Sequence, residues 1–275
     1  MDFEFDEVGY WSEIKLDIIR EYAKSYSTIL AKQKWCKGHH YVDGFAGAGE
    51  HISKATGQLI PGSPLNALNT VPPFTAYHLI DMNPGKVQNL SRIAAQHPTA
   101  KIYSGDCNKI LLQKVFPLLT ENKFTRGLCL LDPYGLHLNW EVMRKAGELN
   151  TIEIFLNFPV ADMNRNALWR QRDKVKPEQS ARMTAFWGDD SWREIAYDTT
   201  SDLFQHPTKT DNETIANAFR ERLEKVAGFK HVLPPMPMRN TSNAVVYYLF
   251  FATPNKTADK IVKHIFNKYK NRGGS

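Results

Sequence analysis

The feature that most constrains this chain is a repeat of short apolar segments, each followed by a turn and by a stretch with helical spacing. The five segments cover residues 39–46, 74–83, 101–108, 126–135 and 151–160. A strand that alternates with a helix in this way is typical of a doubly wound α/β domain with a parallel sheet. The run at 126–135 is almost continuously apolar, as expected for a strand that is buried on both faces.

The rest of the chain changes character after residue 160. Residues 161–227 are helical and polar, whereas 231–240 and 244–253 have the pattern of two final strands and 256–270 that of a closing helix. We therefore predict a seven-stranded, mostly parallel sheet formed by residues 1–160 and 228–275. Residues 161–227 are predicted to be a helical insertion after the fifth strand, which acts as a lid or recognises a substrate or partner.

Composition narrows the class of protein. The chain has 275 residues, 42% hydrophobic and 23% charged, and no apolar run approaches the ~20 residues of a membrane span. The acidic N-terminus has no apolar signal core, so we expect a cytoplasmic protein without membrane contact. Cys36, Cys107 and Cys129 are far apart, which argues against a disulfide framework, and Cys36 with His39 and His40 lacks the second pair of a zinc site. We predict no metal site.

Three glycines at residues 44–49, in the sequence GFAGAG, follow the first predicted strand. Glycine lets the backbone turn sharply and lets a ligand approach it closely. The spacing is Gly-x-x-Gly-x-Gly, which differs from the fingerprint of dinucleotide-binding proteins, and the chain has no phosphate-binding loop of the Gly-x4-Gly-Lys type. The turn therefore favours a ligand without a pyrophosphate.

Acidic residues mark the carboxyl ends of four predicted strands: Asp43, Asp81, Asp106 and Asp132. In open α/β sheets ligands bind at this edge. Carboxylates accept hydrogen bonds strongly from hydroxyl and amino groups, so an adenosine-containing ligand is predicted to give its ribose hydroxyls to Asp81 and its adenine amino group to Asp106. The alternative is that these aspartates simply cap helices or end strands.

Together these motifs resemble the successive motifs of class I S-adenosylmethionine-dependent methyltransferases; the residues concerned are Asp43, Phe45, Gly47, Gly49, Asp81, Asp106 and the sequence LDPYG at 131–135. More closely, the sequences VDGFAGAG, GSPLNAL, LLDPYGLHLNW and ADMNRN resemble the three-Cys-motif partner (TcmP) family over most of the chain. The resemblance implies a Rossmann-like class I methyltransferase fold and the cofactor S-adenosylmethionine. It also implies a partner, a three-Cys-motif protein of the radical-SAM-like kind.

The resemblance assigns roles to the residues around the glycine turn. Gly47 and Gly49 would border the methionine moiety, with Phe45 in the same turn and Asp43 near the amino group. Asp81 would lie at the ribose and Asp106 at the adenine. The separation between Gly49 and Asp81 exceeds the usual ~20 residues between the glycine turn and the ribose acid. Residues 50–64 supply the extra length and are expected to form a loop over the site.

The segment Asp132-Pro133-Tyr134-Gly135 resembles the Asp/Asn-Pro-Pro-Tyr motif of amino methyltransferases. In that motif a side-chain oxygen and a proline carbonyl accept the two amine hydrogens, and the aromatic ring stacks on the base. The second proline is missing here, so Tyr134 is one position early. Asp132, Pro133 and Tyr134 are predicted to orient the acceptor amine, and the alternative is that Pro133 ends the strand while Tyr134 packs on the sheet edge.

Basic residues cluster in the predicted insertion, with Arg165, Arg170, Arg172 and Lys174 surrounding Trp169. Basic side chains bind phosphates and aromatic rings stack on bases, so these five residues are predicted to bind nucleic acid. A solvated helix face is the alternative. The predicted function is a methyltransferase that acts on an amino group of a nucleic acid base. The other hypotheses are a catalytically silent partner subunit of a three-Cys-motif protein and a nucleic acid-binding module in phage defence.

Overall fold

The computed structural model describes residues 5–169, 171, 174–198 and 208–270. Its strands are β1 (Glu7–Val8), β2 (Gly38–Asp43), β3 (Glu50–Ser53), β4 (Leu59–Pro61), β5 (Ala76–Asp81), β6 (Ala100–Ser104), β7 (Thr125–Leu131), β8 (Ile152–Phe158), β9 (Tyr197–Asp198), β10 (Thr208–Lys209), β11 (His231–Val232), β12 (Met236–Arg239) and β13 (Val245–Thr253).

The helices alternate with these strands as the sequence pattern predicts. They are α1 (Tyr10–Ala31), α2 (Ser63–Leu68), α3 (Pro84–Ala94), α4 (Cys107–Ile110), α5 (Trp140–Leu149), α6 (Val160–Asn166), α7 (Pro177–Trp187), α8 (Trp192–Ala196), α9 (Asn212–Lys225) and α10 (Lys256–Tyr269). A π-helical turn (Leu111–Val115) continues α4, and short 3-10 turns follow it. Among the described residues no helix combines the length and apolar character that crossing a membrane requires.

The central sheet has the strand order β11–β13–β8–β7–β2–β5–β6, with β12 beside β11 along the same edge of β13. Strands β8, β7, β2, β5 and β6 run parallel, and β13 is antiparallel to β8. The predicted Rossmann-like α/β fold with a mostly parallel sheet is confirmed. Since the carboxyl ends of parallel strands meet at one edge, the acidic residues after β2, β5, β6 and β7 are brought together there.

Both faces of the sheet are buried, as the continuous apolar runs predict. Successive side chains of β2 point to opposite faces of the sheet. Tyr41 belongs to the hydrophobic cluster beneath α1 and α10, whereas Val42 belongs to the cluster beneath α5 and α9. Both side chains are 0% exposed. The core therefore fixes the register of the strands, since a slip by one residue would exchange the two faces.

The last edge strand differs from the prediction. Residues 231–240 were expected to form one strand, but the structure divides them into β11 and β12, both paired with β13. Pro234 and Pro235 lie between the two pieces. Proline has no N–H to donate to a neighbouring strand, so the ladder is interrupted where the two prolines occur.

Residues 50–64 form more than the expected loop. β3 and β4 pair as an antiparallel hairpin, and β3 also pairs in parallel with β1 from the N-terminal segment. The base of this hairpin is joined to the glycine turn, because the Gly62 N–H donates to the carbonyl of Gly49 at 2.8 Å. The hairpin is thus held directly against the turn after β2.

The predicted insertion shares its core with the sheet. The Phe219 ring of α9 lies 4.8 Å from that of Phe158 on β8 and 5.4 Å from that of Phe186 on α7. Both helices therefore pack into the hydrophobic cluster on the face of the sheet that α5 covers. The short strands β9 and β10 pair with each other in this segment. The limits of the insertion, residues 161–227, stay a prediction.

Candidate functional site

A cleft of about 1200 Å³ opens at the carboxyl edge of the parallel strands. The glycine turn, the strand ends and the segment after β7 all contribute to its wall. The lining includes residues 44–47, 81–83, 105–108 and 132–137, together with Lys15, His51, Ser63, Asn157 and Tyr247. Most of the residues predicted for cofactor binding and catalysis are therefore brought into one cavity.

The two predicted glycines have different physical roles. Gly47 lines the cleft with φ of 64°, and apart from its own chain neighbours no described residue has an atom within 4 Å of the position that a Cβ would take. Its N–H donates to Oδ2 of Asp81 at 2.9 Å. Gly49 has φ of 90°, but a Cβ there would lie 2.6 Å from Cδ1 of Ile93 in α3. Gly47 leaves space for a ligand, whereas Gly49 allows close packing of α3.

Asp43 lies beneath the turn and is fully buried. Its carboxylate accepts hydrogen bonds from Oγ of Ser63 at 2.6 Å and from the N–H of Phe45 at 3.2 Å. Burial raises the pKa of Asp43 to about 7, although these two bonds act in the opposite direction. Asp43 thus ties the glycine turn to the start of α2, and its contact with a cofactor amino group stays a prediction. Phe45 itself lines the cleft.

Asp81 and Asp106 both line the cleft and also organise their own loops. Asp81 accepts from the N–H of Asn83 at 2.8 Å as well as from Gly47. Asp106 caps α4, where its Oδ1 accepts from the backbone N–H and the Nδ2 of Asn108, each at 2.9 Å. The helix-capping alternative therefore holds for Asp106, while the cleft position keeps both carboxylates available as predicted ligand acceptors.

Asp132 is held by two side chains from other elements. The Nζ of Lys15, on α1, donates to Oδ2, and the Nδ2 of Asn157, on β8, donates to Oδ1 at 2.6 Å. Lys15 is 6% exposed and lies 5.3 Å from the centre of the Tyr247 ring. Burial lowers the pKa of Lys15, but the nearby Asp132 carboxylate outweighs it and the pKa is raised, so the ammonium stays charged. Each carboxylate oxygen keeps further acceptor capacity.

Neither Asn157 nor His51 is among the residues predicted for the site. The available signal for Asn157 was a polar residue near the carboxyl end of an apolar strand, the same pattern that identifies Asp43 and Asp81. His51 lies in the segment expected to be a loop. Its position in the cleft follows from the pairing of β3 with β1 and β4, which links distant parts of the chain.

Tyr134 is 89% exposed and lines the cleft beside Pro133. The alternative in which its ring packs on the sheet edge does not fit this exposure. Tyr134 stands where the related motif has its second proline, and the following Gly135 has φ of 59°. A Cβ there would lie 2.9 Å from Oδ2 of Asp162, so glycine allows α6 to approach the segment closely.

Of the basic residues predicted to bind nucleic acid, the two that the structure describes, Arg165 and Lys174, are exposed. The Arg165 side chain lines the cleft and is 74% exposed, and Trp169 is 41% exposed with its Nε1–H donating to the Arg165 carbonyl at 2.6 Å. Lys174 is exposed as well. The predicted residues Arg170 and Arg172 lie outside the described residues. Arg182 of α7, which we did not include among the predicted site residues, also reaches the cleft.

Unsatisfied polar atoms support binding of a polar ligand in this cleft. In the described part of the chain three buried side-chain polar atoms have no hydrogen-bond partner: the Tyr26 hydroxyl, His51 Nδ1 and Asn157 Oδ1. His51 and Asn157 line the cleft. Such atoms are rare in folded proteins because each carries a desolvation penalty. With the space over Gly47 and the acids at the strand ends, they fit a ligand as polar as S-adenosylmethionine. Within the same described residues, no cluster of three His, Cys, Asp or Glu is placed to hold a metal ion.

Comparison with known proteins gives a structural match only. No family model matches the chain, and no curated protein has a similar sequence. Among solved structures, protein LPL1258 from Legionella pneumophila is 13% identical, with a TM-score of 0.53, over 94% of this chain and 92% of that one. The methyltransferase YhhF from Escherichia coli is 18% identical over 51% and 69% of the two chains, with a TM-score of 0.33. The methyltransferase domain of METTL16 is 8% identical over 86% and 67%, with a TM-score of 0.42. The similarity to LPL1258 shows that the two chains share a fold over nearly their whole length.

Proposed function

We propose that this protein is an S-adenosylmethionine-dependent methyltransferase that acts on an exocyclic amino group of a nucleic acid base. The observation that carries the proposal is the position of Asp132 and Tyr134. Asp132 is held by Lys15 and Asn157, and Tyr134 is exposed beside it, in the same cleft as the open backbone at Gly47. On this proposal the cofactor site and the acceptor site would be adjacent.

When bound, S-adenosylmethionine supplies an electrophilic methyl group on a sulfonium. The backbone at Gly47 would hold the methionine part, Asp81 would accept hydrogen bonds from the ribose hydroxyls, and Asp106 would accept one from the adenine amino group. The cleft volume of about 1200 Å³ leaves room for a base as well.

On the acceptor side the residues act by positioning. Asp132 would accept one hydrogen of the amine and the carbonyl of Pro133 the other, which aims the nitrogen lone pair at the methyl group. The exposed ring of Tyr134 would stack on the base. Orientation of this kind can contribute about 7–11 kcal/mol to lowering a barrier. A base in a duplex would have to be flipped out before it reached this position.

Charges at the rim support a nucleic acid as the acceptor. Arg165 and Arg182 line the cleft, and Lys174 and Trp169 are exposed on the same insertion. The whole chain carries a formal net charge of +6. Arginine and lysine bind phosphates without reading the sequence, so these side chains would hold a strand near the cleft. The predicted contribution of Arg170 and Arg172 belongs to the same proposal.

Transfer of a labelled methyl group tests the proposal directly. The purified chain is incubated with labelled S-adenosylmethionine and mixed DNA and RNA, and the label is followed into nucleic acid and protein. Tyr134→Ala is expected to lower transfer at least tenfold while leaving calorimetric binding of S-adenosylhomocysteine unchanged. The matched control is Phe124→Ala, another exposed aromatic, 52% exposed, at the start of β7. No binding of either cofactor form at millimolar concentration would refute the proposal.

A specific observation favours a second candidate function, that of a methyltransferase-like partner subunit without catalysis. Tyr134 stands where the related motif has its second proline, and Gly135 with φ of 59° follows it. The backbone after Pro133 therefore lacks the constraint on φ that a second proline would impose. The resemblance to the TcmP family suggests a three-Cys-motif protein as the partner. Label transfer by the purified chain alone would exclude this function, whereas transfer by the pair, but by neither protein alone, would favour it.

A further inference from the structure

His51 lies on β3 at the base of the hairpin, directly against the glycine turn. A Cβ at position 62 would lie 3.2 Å from the His51 Nε2 and 2.8 Å from the Gly49 carbonyl oxygen. Glycine at 62 therefore leaves room for the imidazole beside the turn. The residue also lines the cleft, as do Lys15 and Ser63.

The imidazole has a polar atom that nothing in the described structure satisfies. His51 Nδ1 is buried and has no hydrogen-bond partner. Burial lowers the pKa of His51, and the charge of Lys15 lowers it further. The ring is consequently neutral near pH 7, with one N–H to donate and one nitrogen to accept. A buried polar atom without a hydrogen-bond partner is unfavourable unless a bound ligand supplies that partner.

The cleft divides by its chemistry into three parts. Asp81 and Asp106 are acceptors and suit the hydroxyl and amino donors of a nucleoside. Asp132 and Tyr134 are the groups proposed to position the acceptor amine. The remaining part, beside the glycine turn, contains His51, and the ammonium of Lys15 on Asp132 is near enough to act on the His51 pKa; both side chains are hydrogen-bond donors. The part of S-adenosylmethionine that remains for this end is the amino-acid tail, whose carboxylate needs donors.

We propose that His51 donates a hydrogen bond from Nδ1 to the carboxylate of the amino-acid tail of the cofactor. This proposal rests on the proposed function, since it requires that the cleft bind S-adenosylmethionine. The hairpin then has a defined role: it carries a ligand-binding side chain to the turn after β2. The fold without residues 50–64 would leave the carboxylate with fewer donors.

Two ligands separate binding of the tail from binding of the nucleoside. S-adenosylhomocysteine has the amino-acid tail, and 5′-methylthioadenosine lacks it. Calorimetry is carried out with both ligands on the wild type, on His51→Leu and on His51→Asn, in which the amide nitrogen takes the place of Nδ1. His264→Leu, on the exposed face of α10, is the matched control. Because a hydrogen bond to a charged group is strong, His51→Leu should lower the affinity for S-adenosylhomocysteine about tenfold or more.

The affinity for 5′-methylthioadenosine should change less than about twofold in both variants, which also shows that they are folded. His51→Asn should restore most of the lost affinity. If His51→Leu lowered the affinity for both ligands equally, or left the affinity for S-adenosylhomocysteine unchanged, the proposal would be overturned and the proposed function would stay intact. If the wild type bound neither ligand, the proposed function itself would fail, and the proposal with it.

Discussion

Replacement of Glu153 by glutamine should remove a large pH dependence of stability. Glu153 lies on β8 and is 6% exposed, and its carboxylate accepts a hydrogen bond from the Tyr22 hydroxyl. Burial raises its pKa from 4.5 to about 7, although hydrogen bonds from Tyr22 and Thr253 act in the opposite direction. Ionisation of a carboxyl in this position is unfavourable because few solvent dipoles reach it.

The size of the effect follows from the pKa shift. The folded chain binds this proton more tightly than the unfolded chain, so the stabilisation is complete below about pH 4.5 and is lost as the pH rises through about 7. A shift of about 2.5 pKa units corresponds to about 3 kcal/mol. Of this, about 2.5 kcal/mol is lost between pH 5 and pH 8. Glutamine has nearly the same shape and does not titrate, so it keeps the packing and removes the loss.

Urea unfolding of wild type and Glu153→Gln at pH 5 and pH 8 measures this difference. The free energy of unfolding of the variant relative to the wild type should rise by about 2.5 kcal/mol between the two pH values. Glu178→Gln, at an exposed position of α7, is the matched control and should show no such rise. A difference between wild type and Glu153→Gln that is the same at both pH values would refute the assigned burial and ionisation of Glu153.

Two further substitutions test the cleft, and a third tests the proposed nucleic acid surface. Gly47→Ala should lower the free energy of unfolding by about 1 kcal/mol, because φ of 64° disfavours a side chain. It should also lower the calorimetric affinity for S-adenosylhomocysteine. Unchanged affinity would mean that the ligand does not approach this turn. Asn157→Leu removes one of the two bonds that hold Asp132, so single-turnover methyl transfer should slow about tenfold at unchanged cofactor affinity, and an equal loss of affinity would argue against a positioning role. Lys174→Gln should lower the slope of log affinity against log salt for single-stranded RNA by about 0.7, and an unchanged slope would remove Lys174 from the nucleic acid surface.

Much of the fold was predictable because its determinants are local. The apolar segments before Asp43, Asp81 and Asp132 are buried on both faces, and each is followed by a turn and a helix. Parallel strands joined by helices place all their carboxyl ends at one edge, so acids at those ends converge whatever the details of packing. Gly47 fits the same logic, since its open backbone at the strand end was visible as a glycine spacing.

Two predictions made from local sequence patterns were wrong. The hairpin of residues 50–64 was expected to be a loop because its strands are short and one of them pairs with β1, far away in the sequence. Residues 231–240 were expected to form one continuous edge strand because most of them are apolar, although Pro234 and Pro235 lie in the middle. Propensity describes what a segment favours alone, whereas pairing depends on which donors and acceptors face it.

The sequence by itself determined the sheet, the glycine turn and the strand-end acids, since these depend on periodicity and on residue type within short segments. Only the tertiary structure decided how Asp132 is held, because its partner Lys15 is 117 residues away and no local spacing connects them. It also placed His51 at the turn and buried Asp43 beneath it. The physical reason is that burial and hydrogen bonding between distant elements depend on the packing of the whole chain, which sets both the geometry and the local dielectric around each charge.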